Sequence, residues 1–203
     1  EHSVGPKPLK RLTRREPACN RGFMAEPLSE YFKQVTASDI FDYGYGETAD
    51  FVGGSYADQS FDWVITNPPF KLAEDFFFEA KRVARRGVAL LTRTVFIESV
   101  GRYERLFSKF PPTTFAQFVE RVPMVKGRLD KKASTATGYG WLVWDMQQSG
   151  SGTSLGWVPP CRKSLERSSD YDLPAPAKAR GKSKRKSPSK TKRRTVGEQL
   201  TLV

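Results

Sequence analysis

Apolar positions along this chain of 203 residues recur in two rhythms, one helical and one strand-like. Met24, Leu28, Tyr31 and Phe32 fall on one side at helical spacing, which predicts a helix between Met24 and Gln34. VTASDI (35–40) and DWVITN (62–67) are short β-branched runs, the first closing on the acid Asp39 and the second stopped by Pro68-Pro69. Leu72, Phe76, Phe77, Ala80, Val83 and Ala84 restore the helical rhythm over 72–86. VALLTRTVF (88–96) reads as a strand, SVGRYERLFSKF (99–110) as a helix, and TFAQFVERV (114–122) and YGWLVWDM (139–146) as two further strands. A basic loop, VKGRLDKKASTATG, joins the last two.

Strands alternating with helices imply right-handed βαβ units, and therefore an α/β domain with a doubly wound, mostly parallel sheet of the Rossmann-like kind. The last two strands follow one another without a helix between them, which predicts an antiparallel pair at the sheet edge. The N-terminus fits poorly. A first parallel strand belongs just before Glu16, yet PLKRLTRR offers only Leu9 and Leu12 among its charges, whereas strands buried on both faces normally read as apolar runs. Residues 1–15 are therefore expected to be irregular or cut from a longer protein, and 16–147 to form the α/β domain. Residues 148–177, rich in Ser, Gly and Pro, read as a flap or linker, and 178–203 as a disordered tail.

Charge sharpens that division. The whole chain carries a net charge of +12. Residues 178–203 hold ten Lys and Arg against the single acid Glu198, so the preceding body is close to neutral. A tail with so few apolar groups cannot offset the entropy of ordering itself, and its charge suits a polyanion bound through phosphates. Lys184, Arg185, Lys186, Arg193 and Arg194 are its candidate contacts, joined by Lys126, Arg128, Lys131 and Lys132 of the basic loop. A solubilising tail and a solvated hairpin are the plainer alternatives. One His, at position 2, and two distant cysteines argue against a zinc or iron–sulfur site, a histidine-based triad and a disulfide scaffold. No metal is expected. Apolar runs too short for a membrane span and the lack of a signal peptide predict a soluble, cytoplasmic protein.

Asn67-Pro68-Pro69-Phe70 is the stretch richest in chemistry. It follows a strand at the carboxyl end, where α/β sheets bind ligands. The prolines lack N–H groups, so they stop the ladder and leave the Pro68 carbonyl unused, while Asn67 can offer a second oxygen acceptor. Two acceptors match the two N–H donors of an amino group on an aromatic ring. Accepting both hydrogens draws the nitrogen toward tetrahedral geometry and localises its lone pair, so no histidine base is needed. Phe70 supplies a flat face for an extruded base.

DWVITNPPF resembles the catalytic motif of S-adenosylmethionine-dependent amino-methyltransferases, and EPACNRGFM (16–24) is similar to the cofactor motif of the DNA adenine-N6 members. In style the chain resembles the small phage and prophage enzymes, bacterial or phage-encoded and nucleoid-associated. The resemblance spans Glu16 to Met146 and implies methyl transfer from S-adenosylmethionine to adenine N6 in DNA, with Asn67, Pro68, Pro69 and Phe70 catalytic. It assigns the cofactor to Glu16, Pro17, Ala18, Gly22, Asp39, Ile40, Asp50, Phe51 and Asn67. Glu16 would face the methionine ammonium, Gly22 would permit close backbone approach, and Asp50-Phe51 would meet the adenine ring. Asp39 lies 23 positions after Glu16, near the ~20-residue spacing at which an acid takes ribose hydroxyls. A surface cap is the plainer reading of Asp39, and a small packing residue that of Cys19. Asn20 stands where the family has glycine; asparagine is among the few residues that tolerate positive φ.

The same Asn-Pro-Pro-aromatic pattern occurs in RNA guanine-N2 and release-factor glutamine methyltransferases. RNA (guanine-N2 or adenine-N6) and protein glutamine are therefore alternative substrates, and an inactive relic binding DNA through its tail is the alternative from another class. Gln199, Leu200 and Leu202 near the C-terminus resemble the short peptide by which bacterial replication proteins dock on the sliding clamp, a further candidate partner.

Overall fold

The computed structural model describes residues 9–124, 132–148, 150 and 152–171. Eight strands form one sheet in the order β3-β2-β1-β4-β5-β7-β6-β8. They are β1 (Thr13–Glu16), β2 (Gln34–Asp39), β3 (Glu47–Thr48), β4 (Phe61–Thr66), β5 (Ala84–Arg93), β6 (Thr114–Phe118), β7 (Tyr139–Asp145) and β8 (Ser154–Val158). β3 through β5 run parallel, β7 runs antiparallel to both β5 and β6, and β6 pairs in parallel with β8. The strand order reverses between β1 and β4, the point at which a doubly wound sheet opens a crevice beyond its carboxyl ends. Glu16 ends β1 and Asn67 follows β4, so the fold brings the two motifs to that crevice.

The expected irregular N-terminus gives way to a strand. β1 is TRRE and lies buried between β2 and β4, with the polar groups of Thr13 and part of the Arg15 guanidinium matched from within. Thr13 donates its backbone N–H (2.8 Å) and its hydroxyl (3.1 Å) to Asp62 Oδ2. Arg15 donates to Ser38 Oγ at 2.8 Å and to the Tyr56 hydroxyl at 2.7 Å, and its guanidinium stacks 4.5 Å from the Tyr56 ring. Hydrogen bonds and aromatic faces here replace the apolar side chains that a central strand usually carries.

The antiparallel pair of β6 and β7 is present, with one more strand outside it. β8 comes from the segment expected to be a flap, and α4 (Arg162–Leu165) and a 3₁₀ turn (Ser168–Tyr171) follow it. The helix expected over 24–34 is the short α1 (Ala25–Ser29), because β2 already begins at Gln34. The helix expected over 99–110 divides into α3 (Val100–Arg102) and a π-helical turn (Tyr103–Phe107). Residues 178–203, with the tail candidates Lys184, Arg185, Lys186, Arg193, Arg194, Gln199, Leu200 and Leu202, lie outside the described residues, as do Lys126, Arg128 and Lys131.

α2 (Ala73–Val83) covers β4 and β5 with Ala73, Phe76, Phe77, Ala80 and Val83, one face at 3.6-residue spacing. Glu74 and Asp75 in its first turn and Lys81 and Arg82 in its last complement the helix dipole. Phe77 packs 4.4 Å from Trp144 of β7, whose indole N–H donates to the Phe110 carbonyl at 2.9 Å, while Phe78 is exposed. β5 is tight against its neighbours: a Cβ on Gly87 would lie 2.3 Å from the Trp63 ring and 2.7 Å from the Trp144 carbonyl. Gly87→Ala should therefore destabilise the fold by about 1–3 kcal/mol through overpacking. Gly156→Ala on β8, where a Cβ meets nothing within 4 Å, should be neutral or slightly stabilising. Urea midpoints of the two variants make the comparison, and equal midpoints would contradict the packing described.

Candidate active site at the carboxyl ends of β1 and β4

Two residues join the halves of the crevice. Thr66, the last residue of β4, donates its hydroxyl to Glu16 Oε1 at 2.9 Å, and both side chains are buried. The other carboxylate oxygen, Glu16 Oε2, sits 3.6 Å from the Arg14 guanidinium and has no hydrogen-bond partner. None of the three Arg14 side-chain nitrogens has one either. Burial pushes the Glu16 carboxyl up to about 7, against the pull of Arg14 and the Thr66 hydroxyl. Burial likewise brings Arg14 down to about 10, with Glu16 and Tyr45 opposing. A buried pair of this kind, short of hydrogen bonds, stabilises the fold little.

The cofactor-type segment 17–24 leaves β1 as a tight turn. The Cys19 N–H donates to the Ser38 carbonyl at 2.9 Å, and the Gly22 N–H closes back on the Cys19 carbonyl at 2.8 Å. Asn20 adopts φ +48° and Gly22 φ +84°, so the asparagine takes the left-handed conformation required of it. Asp39 fastens this turn to β2: its Oδ2 accepts from the Asn20 N–H at 3.0 Å and its Oδ1 from the Phe41 N–H at 3.1 Å. Pro17 is buried, and Ala18 packs against the core. A Cβ on Gly22 would lie 2.5 Å from the Tyr45 ring, so it is Tyr45 that comes close to this glycine. Burial, aided by Glu16 and Asp39, pushes the Cys19 thiol up to about 12, which suits packing and not nucleophilic attack.

Other expected residues are distributed differently. Asp50 is exposed; its Oδ1 accepts from the Val52 and Gly53 N–H groups at 3.1 and 3.2 Å. The Phe51 ring belongs to the core, 5.3 Å from Phe76 and 5.7 Å from Tyr56, while Ile40 is exposed. Lys132 lies exposed in the segment leading to β7.

β4 ends at Thr66 and the chain passes through Asn67-Pro68-Pro69-Phe70 toward α2. Asn67 Oδ1 is shielded from solvent and has no hydrogen-bond partner. Nothing among the described residues donates to the Pro68 carbonyl, whereas the Pro69 carbonyl accepts from the Leu72 N–H at 2.8 Å. A buried acceptor without a donor costs about 1–3 kcal/mol, so an orphan of this kind calls for an explanation. The Phe70 ring is 37% exposed, with Tyr139 of β7 6.1 Å away and the Arg93 guanidinium 4.4 Å over its face.

Reading the sequence missed Thr66, Arg14, Tyr45, Tyr139 and Arg93. Thr66 and Arg14 stand one and two positions from motif residues, and that proximity was the available signal. Nothing in the sequence joins Tyr139 to Phe70 until β5 and β7 pair. Among the described residues no group of three or more His, Cys, Asp or Glu is placed to hold a metal ion.

No family model and no curated protein matches the chain. Among solved structures it is similar to the 23S rRNA methyltransferase ErmE (17% identity, TM-score 0.45, covering 70% of this chain and 65% of that one). It is similar also to a dimethyladenosine transferase from Plasmodium falciparum (15% identity, TM-score 0.45, covering 67% and 55%). A third likeness is to a SAM-dependent methyltransferase from Aquifex aeolicus (20% identity, TM-score 0.35, covering 42% and 58%). The chain thus spans less than two thirds of the length of each of these three.

The Glu16 carboxyl makes a pH test available. The folded protein holds this proton more tightly than the unfolded chain, so the contribution of Glu16 is complete below its ordinary value of 4.5. It declines as pH rises to about 7 and is flat above. The decline amounts to roughly 3 kcal/mol. Urea titrations across that window should show it in the native protein and lose it in Glu16→Gln. The same slope in both would place the titration elsewhere.

Proposed function

We propose that the protein transfers a methyl group from S-adenosylmethionine to the N6 amino group of adenine in DNA. The observation that carries this reading is the pair of unclaimed acceptors on adjacent residues, Asn67 Oδ1 and the Pro68 carbonyl, at the end of a central strand. An exocyclic amino group has the two donors that such a pair lacks. Accepting both localises the nitrogen lone pair, and the surplus proton passes afterwards to solvent. The work of the protein is then positioning and electrostatics, with no histidine required. Phe70 holds the extruded base by stacking.

The residues around the crevice fit the implied cofactor. Glu16 Oε2, buried and without a donor, is an acceptor for an ammonium, whose arrival would draw off the proton that burial holds there. Each Asp39 oxygen takes one backbone N–H and keeps a lone pair for a ribose hydroxyl. Asp50 Oδ2 remains for an adenine amino group, with Ile40 as an exposed apolar neighbour of Asp39 and Phe51 anchoring Asp50 to the core. When bound, S-adenosylmethionine would supply an electrophilic methyl group on sulfur, the S–CH3 bond breaking as N–CH3 forms and the neutral thioether leaving.

DNA is favoured as the polyanion by the basic tail together with the adenine-type cofactor motif. The C-terminal Gln199, Leu200 and Leu202 would tether the enzyme to the sliding clamp at the nucleoid. Asn67→Ala should lower methyl transfer to DNA by at least about 100-fold. Calorimetry should find its affinity for S-adenosylmethionine changed little. Native turnover in the variant would remove Asn67 from the chemistry.

A further inference from the structure

Arg93 ends β5 and pairs across the ladder with Tyr139, and both reach the Phe70 ring. Tyr139 is buried and approaches that ring tilted by 38°, whereas Arg93 is exposed and lies over it. Other arginines nearby are committed. Arg102 donates to the Phe96 and Glu98 carbonyls, and Arg105 grips Glu74 through two nitrogens. Among the described residues the Arg93 guanidinium has neither a carboxylate nor a hydrogen-bonded acceptor, and it lies 4.4 Å over the Phe70 ring.

A guanidinium is flat, stacks on aromatic faces as a base does, and carries a fork of donors matched to phosphate. Here it occupies a ring face that an extruded base would need, so that face holds one or the other. An exposed cation–π contact is the weaker of the two stacks, and the base prevails. A base that enters brings its sugar and phosphodiester to the mouth of the site, where the displaced guanidinium has five N–H donors without acceptors.

We propose that Arg93 is a positioning residue for the target nucleotide: it guards the Phe70 face in the free protein and, when a base takes that face, receives the phosphate of the same nucleotide. The inference rests on the proposed base-stacking role of Phe70 and goes beyond it in naming the group that exchanges places with the base.

The test is binding of the full chain to fluorescein-labelled unmethylated duplex DNA, read by anisotropy over a series of salt concentrations. Arg93→Ala should weaken binding roughly tenfold at moderate salt and reduce the slope of log K against log salt by about 1. Its melting temperature and its affinity for S-adenosylmethionine should stay as in the native protein. Arg93→Lys keeps the charge and loses the plane, so it should retain the native salt slope. An unchanged slope and affinity in Arg93→Ala overturns the proposal, and so does a slope that falls equally in Arg93→Lys. A native protein that binds DNA but transfers no methyl group would overturn the catalytic reading instead, and the Arg93 comparison could still be read.

Discussion

Two prolines at the end of a central strand set the chemistry of this molecule. Pro68 and Pro69 bring no N–H to the ladder, so β4 stops at Thr66, and just beyond it Asn67 Oδ1 and the Pro68 carbonyl have no donor among the described residues. In a folded interior such unmet acceptors are uncommon and call for an explanation. Around this point the sheet is closely packed. β5 runs on from α2 as a buried apolar strand, β7 pairs with it over its length, and Phe77 and Trp144 close the core beneath. Rigidity lies below this point and unpaired acceptors above it.

The second concentration of unmet polarity lies across the crevice. Glu16 is tied to Thr66, so the two motifs are linked by a single buried hydrogen bond. Glu16 and Arg14 are both withdrawn from water with too few partners, which leaves Arg14 the more exceptional of the two: three nitrogens, none bonded. Such a pair is a stability liability that apolar residues would not carry. It is consistent with a site whose remaining partner is a charged small molecule. Tyr45, flanked by Gly44 (φ +77°) and Gly46 (φ +70°), packs where a side chain on Gly22 would stand.

Much of the fold could be read from the chain, because β4, β5 and β7 carry apolar runs, β2 a short β-branched one, and α2 keeps its 3.6-residue face. β1 could not, since the rule for parallel strands counts apolar residues and TRRE meets part of its polarity by pairing, Thr13 with Asp62 and Arg15 with Ser38 and Tyr56, while Arg14 and Glu16 stay short of partners. β8 was hidden by its Ser and Gly neighbours and by Leu155 and Trp157, whose exposure at the sheet edge gives no alternation to detect. In the site, motif spacing located Glu16, Asp39 and Asn67 at three strand ends, because strand order and the carboxyl-end rule follow from the sequence. The grouping of Phe70, Arg93 and Tyr139 was not legible, as it depends on β7 returning antiparallel beside β5.

Asn67 Oδ1 and the Pro68 carbonyl are proposed to receive an amino group, and the identity of the methylated atom tests that most directly. Unmethylated DNA incubated with the protein and methyl-labelled S-adenosylmethionine, then digested to nucleosides and separated, should carry its label in N6-methyladenine. Label on a ring atom, as in 5-methylcytosine, would contradict the two-acceptor geometry, and label on guanine N2 or on protein would keep that geometry and overturn adenine as the substrate.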